Sequence, residues 1–306
     1  MPVFIEVSIV LICILVIAKG ATWFVESASR LAKHWGISEL VIGLTIVAFG
    51  TSAPEFGVTI VAAVQGIGDV SVGNIVGSNI FNLGLILGSS AIVHELKTTE
   101  QMVRRDGAFL ILGTILLSIF LWDLELSRLE GAFLFGLLIY YLYYLYRNNA
   151  GFDEEVPTGN FRRIDILLLF SGLVMVLAGA HYLVKSAINI AAFAGISEWV
   201  ISTTVVAAGT SAPEFAISIV ASVRGRFGIS IGNLIGSDIF NIFGVLGTAG
   251  MLQHLTIDPA ARSSVMLLVA MVALVLFFLR SNWAISRREG IVLVSFGVAR
   301  WVFSFL

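Results

Sequence analysis

The chain has 306 residues, 58% of them hydrophobic and only 12% charged, with a mean hydropathy of +0.98. A soluble domain carries about 25% charged residues, so an ordinary cytosolic enzyme, a nucleic-acid binder and a disordered protein are excluded. A net charge of −2 gives no sign of a polyanion partner, and the single cysteine, Cys13, excludes an intramolecular disulfide and a Cys-based metal site.

A membrane-spanning helix takes about 20 apolar residues. Apolar stretches between charged or Gly-rich breaks predict ten spans, at about 4–28, 37–64, 70–92, 106–122, 128–147, 163–186, 196–223, 229–252, 262–280 and 287–306. The first has no basic n-region and no small-residue cleavage site, so it reads as a retained helix. The fifth ends in Tyr140, Tyr141, Tyr143, Tyr144 and Tyr146, which fit an interfacial aromatic belt or packing residues equally well. A linker-like stretch with Asp153, Glu154, Glu155 and Pro157 follows. The expected organisation is a five-helix repeat over 1–147, a linker over 148–162 and a second five-helix repeat over 163–306.

Shifting the sequence by 159 positions aligns Gly20–Gly88 with Gly179–Gly247 without a gap, and 37 of the 69 pairs are identical. The run Gly50-Thr51-Ser52-Ala53-Pro54-Glu55-Phe56 returns intact at Gly209–Phe215, which marks an internal duplication. Five spans is an odd number, so the second copy must cross the membrane in the opposite sense. Loop charges agree. Arg30 and Lys33 follow the first span while Asn189 and Ala192 stand at the equivalent positions; the loop after the second span has no basic residue, and its equivalent carries Arg224 and Arg226. By the positive-inside rule the loops after odd-numbered spans, and the linker, are cytoplasmic, and both termini are extracytoplasmic. Inverted repeats are characteristic of secondary transporters, whose sites lie near the midplane on interrupted helices. A channel can also contain them.

The second and seventh spans each place Gly-Thr-Ser-Ala-Pro-Glu in mid-span. Proline has no N–H to give and clashes with the carbonyl four residues back, here Gly50 and Gly209. Carbonyls around Ala48–Thr51 and Ala207–Thr210 are thereby expected to loosen toward a cation. Glu55 and Glu214 add two charges that lipid would not tolerate unpaired. A lone intramembrane proline usually signals only a kink; a duplicated Pro-Glu preceded by Thr and Ser points to a site.

The third and eighth spans carry a second duplicated element, Gly73-Asn74-Ile75-Val76-Gly77-Ser78-Asn79-Ile80-Phe81-Asn82 and Gly232-Asn233-Leu234-Ile235-Gly236-Ser237-Asp238-Ile239-Phe240-Asn241. Ser78 and Asn82 share a helix face, as do Ser237 and Asn241. The glycines read as helix-packing positions, and Asn82 and Asn241 as ligands. Carboxylate, hydroxyl, amide and carbonyl oxygens together suit hard cations such as Ca²⁺ and Na⁺. No Ser-His-Asp set, Walker loop or nucleotide fingerprint supports an enzyme, ATP drive or a cofactor.

At these residues the chain resembles the cation/Ca²⁺ antiporter superfamily, in particular its prokaryotic sodium/calcium exchanger branch. The resemblance covers the whole chain and rests on four motif copies in order. It implies an all-α polytopic membrane protein of ten helices, in two inverted five-helix repeats, with ions held between helices 2, 3, 7 and 8 and helices 1 and 6 sliding as the gate. It implies Glu55 and Glu214 as Ca²⁺ ligands aided by the carbonyls of Thr51 and Thr210. Ala48, Ser52, Glu55, Ser78, Ala207, Thr210, Ser211, Glu214 and Ser237 would serve flanking Na⁺ sites, and Asn82 and Asn241 the centre. Some members have Asp where this chain has Asn241. Asp238, standing where the first repeat has Asn79, is then either a replacement acid near the site or an interhelical hydrogen-bond partner.

The expected activity is Na⁺/Ca²⁺ antiport in the plasma (inner) membrane, with inorganic cations and the bilayer as the only partners that the sequence calls for. The alternatives are H⁺/Ca²⁺ antiport, K⁺-dependent Na⁺/Ca²⁺ antiport and a passive cation channel. Proton-coupled relatives usually place an acid inside the Gly-Asn motif, where this chain has Ile75-Val76 and Leu234-Ile235.

Overall fold

The computed structural model describes residues 3–147, 161–194, 207–259 and 261–303. They form ten helices: α1 (Val3–Trp35), α2 (Glu39–Thr51 and Ala53–Val64), α3 (Gly68–Val93), α4 (Glu100–Asp123), α5 (Arg128–Arg147), α6 (Arg163–Phe193), α7 (Ala207–Thr210 and Ala212–Val223), α8 (Phe227–Leu252), α9 (Ala261–Asn282) and α10 (Arg287–Phe303). Seven are long and apolar enough to cross a membrane as single helices, and α2 crosses as a pair bent by 50°. The protein is an all-α polytopic membrane protein. Each span expected from hydropathy meets one of these helices. Residues 196–206 of the seventh span and 148–160 of the linker lie outside the described residues.

Boundaries depart from hydropathy where polar residues find partners. α1 runs 33 residues and α6 runs 31, beyond the expected 4–28 and 163–186. The polar end of α1 stays helical because Arg30 donates to Asp165 at 2.9 Å and Glu26 accepts from Arg224 at 2.7 Å. α4 starts at Glu100 rather than 106 because Thr99 Oγ1 accepts from Met102 N at 3.2 Å, satisfying a donor that the helix start would otherwise leave bare.

α3 and α8 sit at the centre. Of their most apolar stretches 72% and 94% are buried, against 17–39% in the other long helices, whose outward residues such as Leu15, Phe133, Phe170 and Phe277 are exposed as a lipid-facing surface requires. Without a hydrophobic drive between helices in lipid, close approach depends on small residues. A Cβ at Gly236 on α8 would stand 2.6 Å from Leu44 Cα on α2, and one at Gly20 on α1 would stand 2.7 Å from Met175 Cβ on α6.

Two short antiparallel pairings join the repeats across their ends. β1 (Leu96–Lys97) pairs with β4 (Ala284–Ile285), and β2 (Glu125–Leu126) pairs with β3 (Leu255–Thr256). The duplication relates β1 to β3 and β2 to β4, so the pairs exchange under it, as two inverted copies require. One end of the bundle gathers the C-terminus of α1, the N-termini of α2 and α6 and the α7–α8 loop. There Arg30 meets Asp165, Arg224 meets Glu26 and Arg226 meets Glu39 at 3.3 Å, while Ser29 also donates to Glu39.

Candidate functional site

Pro54 and Pro213 break α2 and α7 at Ser52 and Ser211, and Glu55 and Glu214 fall in the first turn of the halves that follow. Both carboxylates are buried, at 1% and 0% exposure. The positive end of a helix favours a carboxylate in its first turn, and the two repeats then hold each other's acids. Ser211 Oγ donates to Glu55 Oε1 at 3.0 Å, and Ser52 Oγ donates to Glu214 Oε1 at 3.1 Å. Ser78 Oγ on α3 lies 3.4 Å from the same Glu55 oxygen.

One asparagine on each of α3 and α8 fastens it to the backbone of a broken helix at the glutamate. Asn74 Nδ2 donates to the Glu55 carbonyl at 3.3 Å and to Thr59 Oγ1 at 3.0 Å. Asn233 Nδ2 repeats this on the Glu214 carbonyl at 3.5 Å and Ser218 Oγ at 2.9 Å. Thr51 Oγ1 donates to Asn233 Oδ1 at 3.0 Å and lies 3.4 Å from Ser237 Oγ, which brings α2 against α8. Asn82 and Asn241 open π-helical turns, Asn82–Ile86 with Asn82 as its first residue and Phe240–Leu246 with Asn241 as its second. Such wide turns recur at functional sites.

Asn82 Nδ2 donates to Asp238 Oδ1 at 2.9 Å, Asn79 Nδ2 donates to the Asp238 carbonyl at 3.2 Å, and Asn241 Nδ2 donates to Asn79 Oδ1 at 3.0 Å. Four helices, α2, α3, α7 and α8, therefore converge on one polar centre. Among the described residues six buried side-chain atoms have no hydrogen-bond partner, and five of them are oxygens of this centre: Glu55 Oε2, Glu214 Oε2, Asn82 Oδ1, Asn241 Oδ1 and Asp238 Oδ2. Leaving such groups unpaired in the interior is costly. Unpartnered carboxylate and amide oxygens are ligands that a hard cation takes, and include nothing a soft metal would prefer, although among the described residues no three acidic, His or Cys side chains stand close enough together to hold one metal ion.

Of the residues singled out by sequence, the structure brings Thr51, Ser52, Glu55, Ser78, Asn82, Ser211, Glu214, Ser237, Asp238 and Asn241 together. Thr210 lines an adjoining cavity. Ala48 is buried beside them, but its carbonyl already accepts from Ser52 N at 3.0 Å and Thr51 Oγ1 at 3.2 Å. Of the carbonyls expected to loosen across Ala48–Thr51, that of Ala48 is therefore held within its own helix. The side chain of Ala207 lies outside the described part. Asn74, Asn79 and Asn233 were given no role by sequence, although all three stand inside the duplicated motifs.

The cavity, about 590 Å³, reaches Pro54, Thr210 and Pro213 at the two broken turns and runs along α6 past Ala180, His181 and Lys185. On the equivalent face α1 packs directly on Ala212–Val223, with Phe24 and Ala28 in one apolar cluster with Ile217 and Ala221.

The model of the family described as sodium/calcium exchanger protein matches residues 5–147 and 164–306. The sodium/calcium exchanger MaX1 of Methanosarcina acetivorans is 34% identical over 336 residues, covering 95% of this chain and 96% of its own. The inner membrane protein YrbG of Escherichia coli K12 is 33% identical over 289 residues, covering 90% and 89%. Among solved structures, the sodium-calcium exchanger NCX_Mj soaked with zero Na⁺ and Ca²⁺ superposes with a TM-score of 0.88 at 32% identity, over 99% of this chain and 100% of that one. The same exchanger soaked with 2.5 mM Na⁺ and 0.1 mM Ca²⁺ gives 0.86 at 32% identity, over 96% and 97%.

Proposed function

The chain belongs to the sodium/calcium exchanger family, a family of transporters and not of enzymes, and from that premise we propose that it is a secondary active antiporter exchanging Na⁺ for Ca²⁺ by alternating access. The observation that carries this reading is the buried centre itself, where two crossed Ser–Glu hydrogen bonds hold one oxygen of each glutamate and leave Glu55 Oε2 and Glu214 Oε2 without a partner.

In this reading Ca²⁺ is bound between Glu55 and Glu214, with the Asn82 and Asn241 amide oxygens and the Thr51 and Thr210 carbonyls completing its shell. Na⁺ is held at flanking positions by the same glutamates with Ser52, Ser78, Ser211, Ser237, Thr210 and the carbonyl of Ala207. Both cargoes need the same carboxylates. One Ca²⁺ or two Na⁺ neutralise that pair, so binding of one cation removes the attraction for the other, and exchange replaces co-transport. Neutralisation also matters for movement, because uncompensated charges in a low-dielectric interior would resist any step that closes apolar surface over them.

The cavity along α6 reaches the broken turns at Pro54, Thr210 and Pro213 beside the buried centre, while α1 covers the equivalent face on α7. Sliding of α1 and α6 would interchange the two. The positive-inside pattern places the end with Arg30, Arg224 and Arg226 in the cytoplasm. Both termini are then extracytoplasmic, and the two five-helix repeats, 1–147 and 163–306, flank a cytoplasmic linker over 148–162. A plasma (inner) membrane location agrees with the relative named as an inner membrane protein.

The test is ⁴⁵Ca²⁺ uptake into proteoliposomes loaded with Na⁺, K⁺ or acid and diluted into buffer lacking the loaded ion. Uptake from Na⁺-loaded vesicles alone is the expected result. Uptake that needs K⁺ as well, uptake driven by a pH gradient alone, or uptake without any gradient would replace the reading by a K⁺-dependent exchanger, a proton antiporter or a channel respectively.

A further inference from the structure

The hydrogen bonds around Asp238 form a chain whose direction is fixed. Its backbone carbonyl accepts from Asn79 Nδ2 and its ionised Oδ1 accepts from Asn82 Nδ2, and neither a carbonyl nor an ionised carboxylate oxygen can donate. Asn79, having its nitrogen on that carbonyl, turns its Oδ1 to accept from Asn241 Nδ2. Two amides are thereby set. Asn82 and Asn241 each commit the nitrogen to a protein acceptor, and each leaves Oδ1 buried without a partner.

The relation runs crosswise. Asn79 and Asp238 occupy the same position of the two repeats, three residues before Asn82 and Asn241, and each holds the asparagine of the other repeat. The orientation matters because an asparagine amide has nearly the same shape either way round. With the amide reversed, an NH₂ group would face the cation and repel it.

We propose that Asp238 and Asn79 are positioning residues that lock the Asn82 and Asn241 amides with their oxygens facing the transported cation. The proposal rests on the exchanger reading above and goes beyond it in assigning how the centre is kept in ligand form. It also separates two roles for Asp238, whose Oδ2 is buried without a partner. A positioning residue needs an acceptor atom, whereas a ligand needs its charge.

Three variants separate these roles. Asp238→Asn keeps an acceptor for Asn82 and removes the charge, Asp238→Leu removes both, and Asn79→Leu removes the acceptor for Asn241. Each is measured twice, as KM and maximal rate of Na⁺-driven ⁴⁵Ca²⁺ uptake and as Ca²⁺ affinity of the purified protein by calorimetry. Groups that orient metal ligands typically contribute about 10- to 100-fold in affinity. The expected result is a rise of that order in KM and Kd for both Leu variants, and a rise at least several-fold smaller for Asp238→Asn. In an Asn82→Ala background Asp238→Leu should add little, because it acts through Asn82.

Equal losses in Asp238→Asn and Asp238→Leu, or independent effects of Asp238→Leu and Asn82→Ala, would overturn the proposal. If Asp238→Leu does not fold, Asn79→Leu reads the same relation from the other repeat, and an unchanged Ca²⁺ affinity there would overturn it as well. A wild-type protein that binds Ca²⁺ but shows no Na⁺-driven uptake would refute the exchanger reading and leave the calorimetric test of positioning intact.

Discussion

Ser52 on α2 donates to Glu214 on α7 at 3.1 Å, and the duplication returns that bond with the roles exchanged, from Ser211 to Glu55 at 3.0 Å. Each repeat thus holds the acid of the other. The break that Pro54 and Pro213 introduce is what frees these serines from the helix surface and aims them across the interface. A hydrogen bond to a charged group contributes about 1.5–3 kcal/mol. Ser52→Ala and Ser211→Ala should each raise the KM for Ca²⁺ by about tenfold or more, with similar size in the two repeats, in initial-rate uptake assays.

Asn74 and Asn233 tether α3 and α8 to the backbone immediately at each glutamate. Asn74→Leu and Asn233→Leu leave a buried carbonyl and a buried hydroxyl without their donor, at a cost of about 1–3 kcal/mol. The expected outcome is a lower Tm together with weaker Ca²⁺ binding, read by thermal melts of the detergent-solubilised protein with and without Ca²⁺.

Arg30 supports stability at the end of α1 that abuts α6. Its partner Asp165 is buried, with no exposed side chain, while Arg30 itself is 23% exposed. Removing the arginine leaves a buried carboxylate short of its main counter-charge, and such losses run to about 3 kcal/mol. Arg30→Ala should therefore melt at lower temperature than Arg30→Lys. A Tm equal to that of the wild-type protein would show that Arg162 and the capping N–H suffice for Asp165.

Gly20 lies where α1 and α6 cross, with Met175 Cβ and the Gly172 carbonyl closer than any added Cβ would tolerate. Gly20→Ala should cost about 1–3 kcal/mol through overpacking and slow transport if that interface moves. Gly136→Ala, on an exposed face of α5, serves as the control, since a Cβ there would meet nothing.

Much of this was legible in the sequence because lipid makes polar residues conspicuous. Glu55 and Glu214, each behind a proline in an apolar span and each duplicated, could be read as a site before any contact was known. The ten spans were legible for the same reason. What sequence did not reveal is what depends on contact between the repeats. Nothing local distinguishes Asn79, which holds Asn241, from Asn82, which the cation reading already claimed. Asp238 stood between two roles because its partner Asn82 belongs to the other repeat, a contact that no local pattern displays. The extra length of α1 was missed because its charged end looks like a loop until Arg30 finds Asp165, and that of α6 because Asn189 looks like a loop residue until it finds Glu6. The two-residue pairings of β1 with β4 and β2 with β3 join segments far apart in the chain and carry no period that a sequence could display.

The central claim is that one buried pair of glutamates, one from each repeat, carries both cations. It is tested most directly by Na⁺-driven ⁴⁵Ca²⁺ uptake in proteoliposomes containing the wild-type protein, Glu55→Gln or Glu214→Gln, with Ca²⁺ binding measured on the same preparations. Uptake by the wild-type protein, lost in both variants along with Ca²⁺ binding while both remain folded, is the predicted result. Exchange that persists at a comparable rate in either folded variant would contradict the claim.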